Sequence, residues 1–552
     1  MVKECYKMPV VELELPRLQK LVGKTNRKKI IDTLPFVGLD IESQKNDIIR
    51  VEYSPNRPDY STDFGIALGL QGLLGTKTGI QKLKIKKIEG YQIKVDSSVS
   101  KVRPFVTGIV ARNGKIDEKV LRQLIVMQED LHNGIGRRRK KSSIGIHDLD
   151  TISFPLTYTT TSRNHKFIPL NSSQENSISE ILENTEVGQD YGYILGNSPK
   201  VPIIIDSLGN TVSFPPIINS SMTIVTTKTK NLLVEVTGLD KNDVEDMLSV
   251  VATVLQSAGF ELCSVKISGA KNSNPKFNQR KILINTNFVN AMLGLNISPG
   301  KIISALKKCR LEATSKNKNI ICTVPRYRFD IFGPMDLVEE VALGYGIENL
   351  KPNLSASKTL GQKNQKSNDL NSMCQIMVGL GYMEALNSSL TSKRILYDLT
   401  NRDSSNIISV MNSKSQEHTI LQDFILAGLL NNLSSNIHEP YPQKLFEIGT
   451  IFSKRNPIDE EIHLACVNSH KDANFSEIKS ILQSALKTGF NIVCNTKTST
   501  HPTFSKGRAA EIIVAGKSYG IIGEIDSKVR GNFKIREPVV GFELKLSGLI
   551  FD

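Results

Sequence analysis

Four carboxylates, Asp330, Asp336, Glu339 and Glu340, crowd the run YRFDIFGPMDLVEEVALGYG. Gly333-Pro334 makes a turn, and Pro334 suits the first position of a helix, where no N–H is needed. Beyond it Val338, Val341, Ala342 and Tyr345 recur at helical spacing and form one apolar face. Asp336, Glu339 and Glu340 share the opposite face, and Asp330 lies in the loop that feeds it. Oxygen-only ligands suit a hard cation such as Mg²⁺ or Ca²⁺. Acids in a first helical turn also favour the macrodipole, each by roughly 0.3–1 kcal/mol, while facing water. Spacing alone leaves both readings open. Leu343 falls within the acidic stripe, so that face is expected to be partly covered.

Other residues offer weaker chemistry. Arg137, Arg138, Arg139, Lys140 and Lys141 are adjacent and cannot all lie in a core. They make either a solvated loop or a phosphate contact. His147-Asp148 is either an acid–base pair or a histidine bonded to a neighbouring turn. Asn56-Arg57-Pro58-Asp59 reads as a rigid turn. The seven cysteines are scattered without a CxxC pair, which argues against a zinc site or a disulfide framework. The chain carries no Gly-rich phosphate loop, HExxH run or nucleophile elbow.

The elements that must position these groups fall into several domains, as 552 residues suggest. Hydrophobic residues at 39% and charged residues at 23% indicate a soluble globular protein. No apolar run approaches the ~20 residues of a membrane span, and the N-terminus lacks a signal-peptide core, so a cytoplasmic location is expected. The net charge of +15 favours a polyanionic partner. The fold class expected is α+β multidomain. Residues 1–90 read as a small α+β unit, with Ser61 or Thr62 capping a helix. Residues 91–267 read as a mixed α/β domain, with Asp240 or Asn242 capping its second long helix. Residues 268–277, polar and proline-containing, read as a linker. Residues 278–352 form a small β-α-α-β domain that ends in the acidic helix, with Ser298 capping an earlier one. Residues 353–369 read as a second linker, and 370–552 as an antiparallel sheet domain with a hairpin turn at Gly516-Lys517.

The run YRFDIFGPMDLVEEVALGYGIENLKP resembles the acidic helix motif of the phenylalanyl-tRNA synthetase β subunit family. Asp330, Asp336, Glu339 and Glu340 match family positions recorded as Mg²⁺ ligands shared with the α subunit. The NRPD turn also resembles the family. So do GIGRRRKKSSIGIHD, SFPPIIN and VEVTG, which resemble its editing domain. That domain hydrolyses tyrosine misattached to the phenylalanine tRNA. Its pocket positions fall here at Ile204, Ser213, Glu235 and Thr237, with Glu235 in place of the usual aspartate. A site built to bond one phenol hydroxyl can reject an analogue lacking it by about 10⁴–10⁵. KLFEIGTIF, GRAAEII, GIIGEID and VGFELKLSGL resemble the family's class II synthetase-like domain, catalytically silent in this subunit. Gln422 stands where family members often carry arginine. Neither an oligonucleotide-binding insertion nor a C-terminal anticodon-binding extension is evident, as in the shorter archaeal and eukaryotic type.

The resemblance implies an α₂β₂ ligase that joins phenylalanine to tRNA(Phe) with ATP and Mg²⁺, the aminoacylation site lying on the α subunit. This chain would contribute editing, assembly and tRNA contacts, the latter through Arg137 to Lys141. Two alternatives are a stand-alone hydrolase acting in trans on mischarged tRNA and a non-catalytic tRNA-binding scaffold.

Overall fold

The structure, a computed structural model, describes residues 8–270, 272–316, 319–352, 354, 359–413 and 415–551. It divides into two compact units, Met1–Leu354 and Ser355–Asp552. The boundary falls inside the run expected as the second linker. No helix among the described residues is long and apolar enough to cross a membrane.

The first unit begins with a three-stranded antiparallel sheet in the order Val10–Glu14, Ile48–Tyr53, Leu39–Lys45. Alternating residues Leu13, Ile49, Val51 and Tyr53 face a core shared with the helices Leu15–Val22 and Asp63–Leu73. Thr62 caps the latter by accepting from the Gly65 N–H. That helix is buried on nearly every side because its glycines admit backbone contact. A Cβ on Gly65 would lie 1.7 Å from the Asp59 carbonyl oxygen, and one on Gly72 2.0 Å from that of Lys308. The NRPD turn and the small domain therefore close on the same helix from opposite ends.

Two larger sheets stack next. One runs Ile218–Asn219, Thr211–Phe214, Lys200–Ile205, Leu156–Ser162, Gln92–Val95, Lys266–Ser268. The other runs Ile85–Lys86, Glu261–Ser264, Phe105–Arg112, Leu232–Gly238, Ser142–Asp148. Between them lies an apolar core that includes Ile93, Tyr158, Ile204, Val110, Leu233 and Cys263. The outer face of the second sheet is covered by the helices Glu118–Asn133 and Lys241–Ser257, the latter capped by Asp240. The strand Leu232–Gly238 is buried throughout, and its alternation is consequential. Leu232, Val234 and Val236 face the helices, whereas Leu233 faces the other sheet. By the two-residue period Glu235 and Thr237 share the inter-sheet side.

Residues 268–277 differ from the expected linker. Asn272 accepts from the Val106 N–H and donates to the Pro104 carbonyl, and Asn274 accepts from the Ile267 N–H. Polar composition here reflects side chains bonding an adjacent backbone rather than solvation. The small domain follows as a three-stranded antiparallel sheet, Arg280–Asn285, Asn319–Val324, Glu312–Lys316. Its helices are Thr286–Leu293, Pro299–Lys308 and Pro334–Tyr345. Ser298 caps the second, and Pro334 opens the third, both as expected.

The second unit is a seven-stranded sheet, Met383–Glu384, Gln443–Ser453, Asp459–Ser469, Val539–Lys545, Lys517–Ile525, Phe504–Val514, Asn495–Thr498. Only the first pair is parallel. The helices Gln365–Gly379 and Phe475–Phe490 pack on one face, and Leu426–Ser435 on the other. The first helix starts within the run expected as linker, capped by Asn364. The hairpin turn sits one residue earlier than expected, at Ala515-Gly516, because Val514 pairs with Lys517. Both turn residues have positive φ, 49° and 79°, which matches the twist of the flanking strands.

Candidate functional site

Glu235 places a carboxylate in the wall of a cavity of about 410 Å³ that opens beside the edge strand Ser142–Asp148, between the first sheet and the helix Glu118–Asn133. Its wall includes Ser213, Asn219, Thr223 and Ser143, together with Glu129, His132 and Arg139. Glu235 is 2% exposed. One oxygen, Oε1, accepts from the Ser213 hydroxyl at 3.0 Å, and Oε2 has no partner among the described residues. His147, fully buried in the adjacent strand, lies with Nε2 3.8 Å from Glu235 Oε1. Its Nδ1 is 2.8 Å from the Thr223 hydroxyl, which itself donates to the Ser220 carbonyl. Thr223 therefore accepts from Nδ1–H, and in the neutral ring Nε2 presents a bare lone pair. Neither Glu235 Oε2 nor His147 Nε2 has a hydrogen-bond partner among the described residues. Buried polar atoms are almost always paired, so this arrangement asks for a donor, either water or a ligand hydroxyl. Gly145 leaves the room, since a Cβ there would lie 2.5 Å from both Glu235 Oε1 and His147 Nε2.

The four residues expected to line one pocket are not equivalent. Ser213 and Glu235 are in the cavity wall. Ile204 stands opposite Ser213 in register but is buried in the apolar inter-sheet core. Thr237 is buried beneath, where its hydroxyl accepts from Arg103 Nε at 2.9 Å and lies 3.2 Å from that of Ser143. The residues missed from sequence are His147 as a neighbour of Glu235, and Arg103. His147 and Asp148 do not form a pair. They alternate on a strand, and Asp148 instead accepts from the Thr229 hydroxyl and the Asp150 N–H. Strand alternation in SSIGIHD was the available signal.

The basic run folds as a left-handed turn. Arg137, Arg138 and Arg139 all have positive φ, at 50°, 54° and 62°. Successive non-glycine residues there are costly and need outside support. Arg139 supplies part of it by turning inward. It donates to Glu129 at 2.8 Å and to the Ile217 carbonyl at 2.9 Å, and its guanidinium stacks 4.3 Å from the Tyr191 ring centre. Arg103 supplies the rest by donating to the Arg139 and Lys140 carbonyls. Burial would raise the Glu129 carboxyl, but His132 and Arg139 outweigh it and hold it at about 2. Arg137, Arg138, Lys140 and Lys141 are exposed. One of the five residues expected to face a partner is therefore part of the cavity wall.

The acidic helix is built differently from a cation cage. Arg328, 2% exposed, donates to both Asp330 and Glu340. Burial acts to raise the Asp330 carboxyl, but the Arg328 charge and its hydrogen bonds prevail and leave it below the usual range. Asp336 accepts from the Phe332 and Gly333 N–H groups at 2.7 and 2.8 Å, closing the helix start. Glu339 is exposed. No group of three or more His, Cys, Asp or Glu among the described residues is arranged to hold a metal ion. The four carboxylates do not fit a Mg²⁺ site supplied by this chain alone, since an arginine already occupies the charge complement of two. The NRPD turn joins this network. Arg57 grips Asp59 at 3.0 and 2.8 Å and stacks 3.8 Å from the Tyr60 ring centre. Arg57 and Tyr60, together with Arg328 and Glu340, line one small crevice.

In the second unit Gln422 donates to the Thr450 carbonyl, and Arg402 is held by Asp423 at 2.8 and 3.0 Å.

Comparison with known proteins places these features. Residues 282–347 match the family described as tRNA synthetase B5 domain. Residues 347–546 match the phenylalanyl tRNA synthetase beta chain CLM domain. The phenylalanine–tRNA ligase beta subunit of Archaeoglobus fulgidus is 37% identical over 547 residues, 98% of each chain. That of Methanocaldococcus jannaschii is 36% identical, covering 98% of this chain and all of its own. A crystal structure of an N-terminal fragment of the phenylalanyl-tRNA synthetase beta subunit from Pyrococcus horikoshii superposes with a TM-score of 0.58 at 29% identity. It covers 61% of this chain and 99% of the fragment. With relatives this similar over nearly its whole length, the chain belongs to the family of phenylalanine–tRNA ligase β subunits.

Proposed function

We propose that the Glu235 cavity is a hydrolytic site for tyrosine misattached to tRNA(Phe). The chain then acts as the β subunit of a cytoplasmic α₂β₂ ligase, in which the partner α subunit carries out aminoacylation with ATP and Mg²⁺. The observation that carries this reading is the buried, unpartnered Glu235 Oε2 in the wall of a cavity of about 410 Å³. A tyrosyl hydroxyl entering there donates to Oε2. A phenylalanyl ring leaves that acceptor unpaired and forgoes the hydrogen bond that a tyrosyl hydroxyl makes. Hydrolysis then needs only water attack on the ester carbonyl, with the ribose hydroxyl as leaving group.

The test uses the α–β complex. Tyr-tRNA is deacylated and Phe-tRNA spared. Glu235→Gln keeps the shape and loses the charge, and should lower kcat/KM for Tyr-tRNA by about 10–100-fold. Deacylation of Tyr-tRNA at the wild-type rate by that variant would remove the cavity from the reaction.

A further inference from the structure

Beside the Glu235 cavity, and sharing Pro216 with it, lies a second cavity of about 250 Å³. Three cations line it, Lys101, Arg103 and Lys140, with no carboxylate in its wall. The cations flanking Lys140 in sequence are neutralised, Arg139 by Glu129 and Lys141 by Asp243. Lys101, Arg103 and Lys140 have no such partner within ion-pair distance among the described residues. Arg103 is the informative one, because it is 2% exposed. Buried charges are ordinarily paired. Its Nε and Nη2 are taken up by Thr237 and Ser143, while Nη1 has one acceptor, the Lys140 carbonyl at 3.4 Å, for two hydrogens. Burial pushes the Arg103 guanidinium below its ordinary range, and Tyr158 and Glu235 only partly oppose that shift.

Three cations with no ion-paired carboxylate, one of them buried, are complementary to a phosphate. Its surroundings favour one on a nucleic-acid chain over a free anion. Leu239, 46% exposed, and Ile194 supply an apolar wall against which a ribose or base can lie. Exposed Arg137 and Arg138 continue the positive surface outward. From this juxtaposition we propose that Lys101, Arg103 and Lys140 form a phosphate site that holds a backbone phosphodiester at the end of the RNA while its aminoacyl group occupies the Glu235 cavity. The proposal rests on the editing reading and deepens it. Arg103 also bonds the carbonyls of the left-handed turn and the Thr237 hydroxyl, so one buried side chain links the phosphate site, the basic turn and the cavity floor.

The test is a binding cycle on the α–β complex. The ligand is tRNA ending in 3′-tyrosylamino-3′-deoxyadenosine, whose amide resists hydrolysis. It is made with its last phosphodiester intact or replaced by an uncharged methylphosphonate. The protein is wild type or carries Lys101→Ala with Lys140→Ala, both at exposed positions. Each change alone should weaken binding about tenfold, as for loss of a charge-assisted contact. Both together should cost no more than either, and the salt slope should fall by about 0.7 for one single-stranded phosphate. Additive losses, or no loss from the methylphosphonate, overturn the site. Lysine-dependent binding of inorganic phosphate with no discrimination between the two RNAs overturns the RNA assignment in favour of a free anion. Failure of the editing reading shows separately, as a wild-type complex that leaves Tyr-tRNA intact.

Discussion

Glu340→Ala distinguishes an internal ion lock from a metal site, and the structure sets its size. Arg328 is buried between Glu340 and Asp330, and Arg57 of the NRPD turn lies close enough for the two cations to repel each other. Arg57 in turn is held by Asp59. Two cations, Arg328 and Arg57, and three carboxylates, Glu340, Asp330 and Asp59, therefore form one network of ion pairs between the first domain and the small domain. Removing one member of a buried pair costs about 3–5 kcal/mol because it strands the other charge. Asp330 remains on Arg328, so the lower end, about 3 kcal/mol, is expected. At about 2 °C per kcal/mol for a unit of this size, that lowers the thermal midpoint of the first unit by about 6 °C. Arg328→Met, which leaves two buried acids facing each other, should cost at least as much. Wild-type unfolding of the isolated chain should be indifferent to EDTA. The pH dependence has a fixed sign. Asp330 is held below the usual carboxylate range, so its contribution is complete above its unfolded value near ~3.9 and is lost as pH falls through the lower folded value. Arg328→Met should flatten that acid limb. Calorimetry of the chain with and without EDTA reads all of this. A Glu340→Ala midpoint within 1 °C of wild type, or a wild-type midpoint that drops several degrees in EDTA, would refute the lock.

Gly145→Ala puts a methyl 2.5 Å from Glu235 Oε1 and His147 Nε2, so deacylation of Tyr-tRNA should fall steeply while the complex still assembles, checked by gel filtration and rate assay. Arg138→Ala and Arg139→Ala should separate cleanly. The first, exposed, should weaken tRNA binding and its salt slope only, whereas the second, which bonds Glu129 and Ile217 and stacks on Tyr191, should lower the melting midpoint as well. Burial depresses the His132 imidazole, against the opposing pull of Glu129, so below the ordinary histidine value the unfolded chain binds the extra proton and stability is lost as pH falls. His132→Gln should remove that loss between pH 7 and 5 in denaturant titrations.

What sequence makes legible here is local, and what it hides is mutual. Caps, turns and helix starts depend on a few neighbouring residues, and Thr62, Asp240, Ser298 and Pro334 all take the places that local chemistry assigns. The hairpin at Ala515-Gly516 slipped by one residue because an alanine in the left-handed region carries no composition signal. The polar run 268–277 misled for a related reason, since asparagines that bond a distant strand look like asparagines that bond water. The site itself turns on partners brought from elsewhere. Arg328 sits two residues before Asp330, and the acids, not the arginine among them, carry the family motif. Arg103 lies in a plain strand approach, and only the fold brings it to Thr237, Ser143 and the basic turn. Charge explains both failures with one physical rule. A buried charge is tolerated only beside its complement, so a motif of like charges predicts a cation only until the nearest buried arginine is known. Applied to the acidic helix that rule turns a proposed ligand set into an ion lock. Applied to Arg103, buried with no carboxylate in the wall of its cavity, it points outward to the phosphate of a ligand.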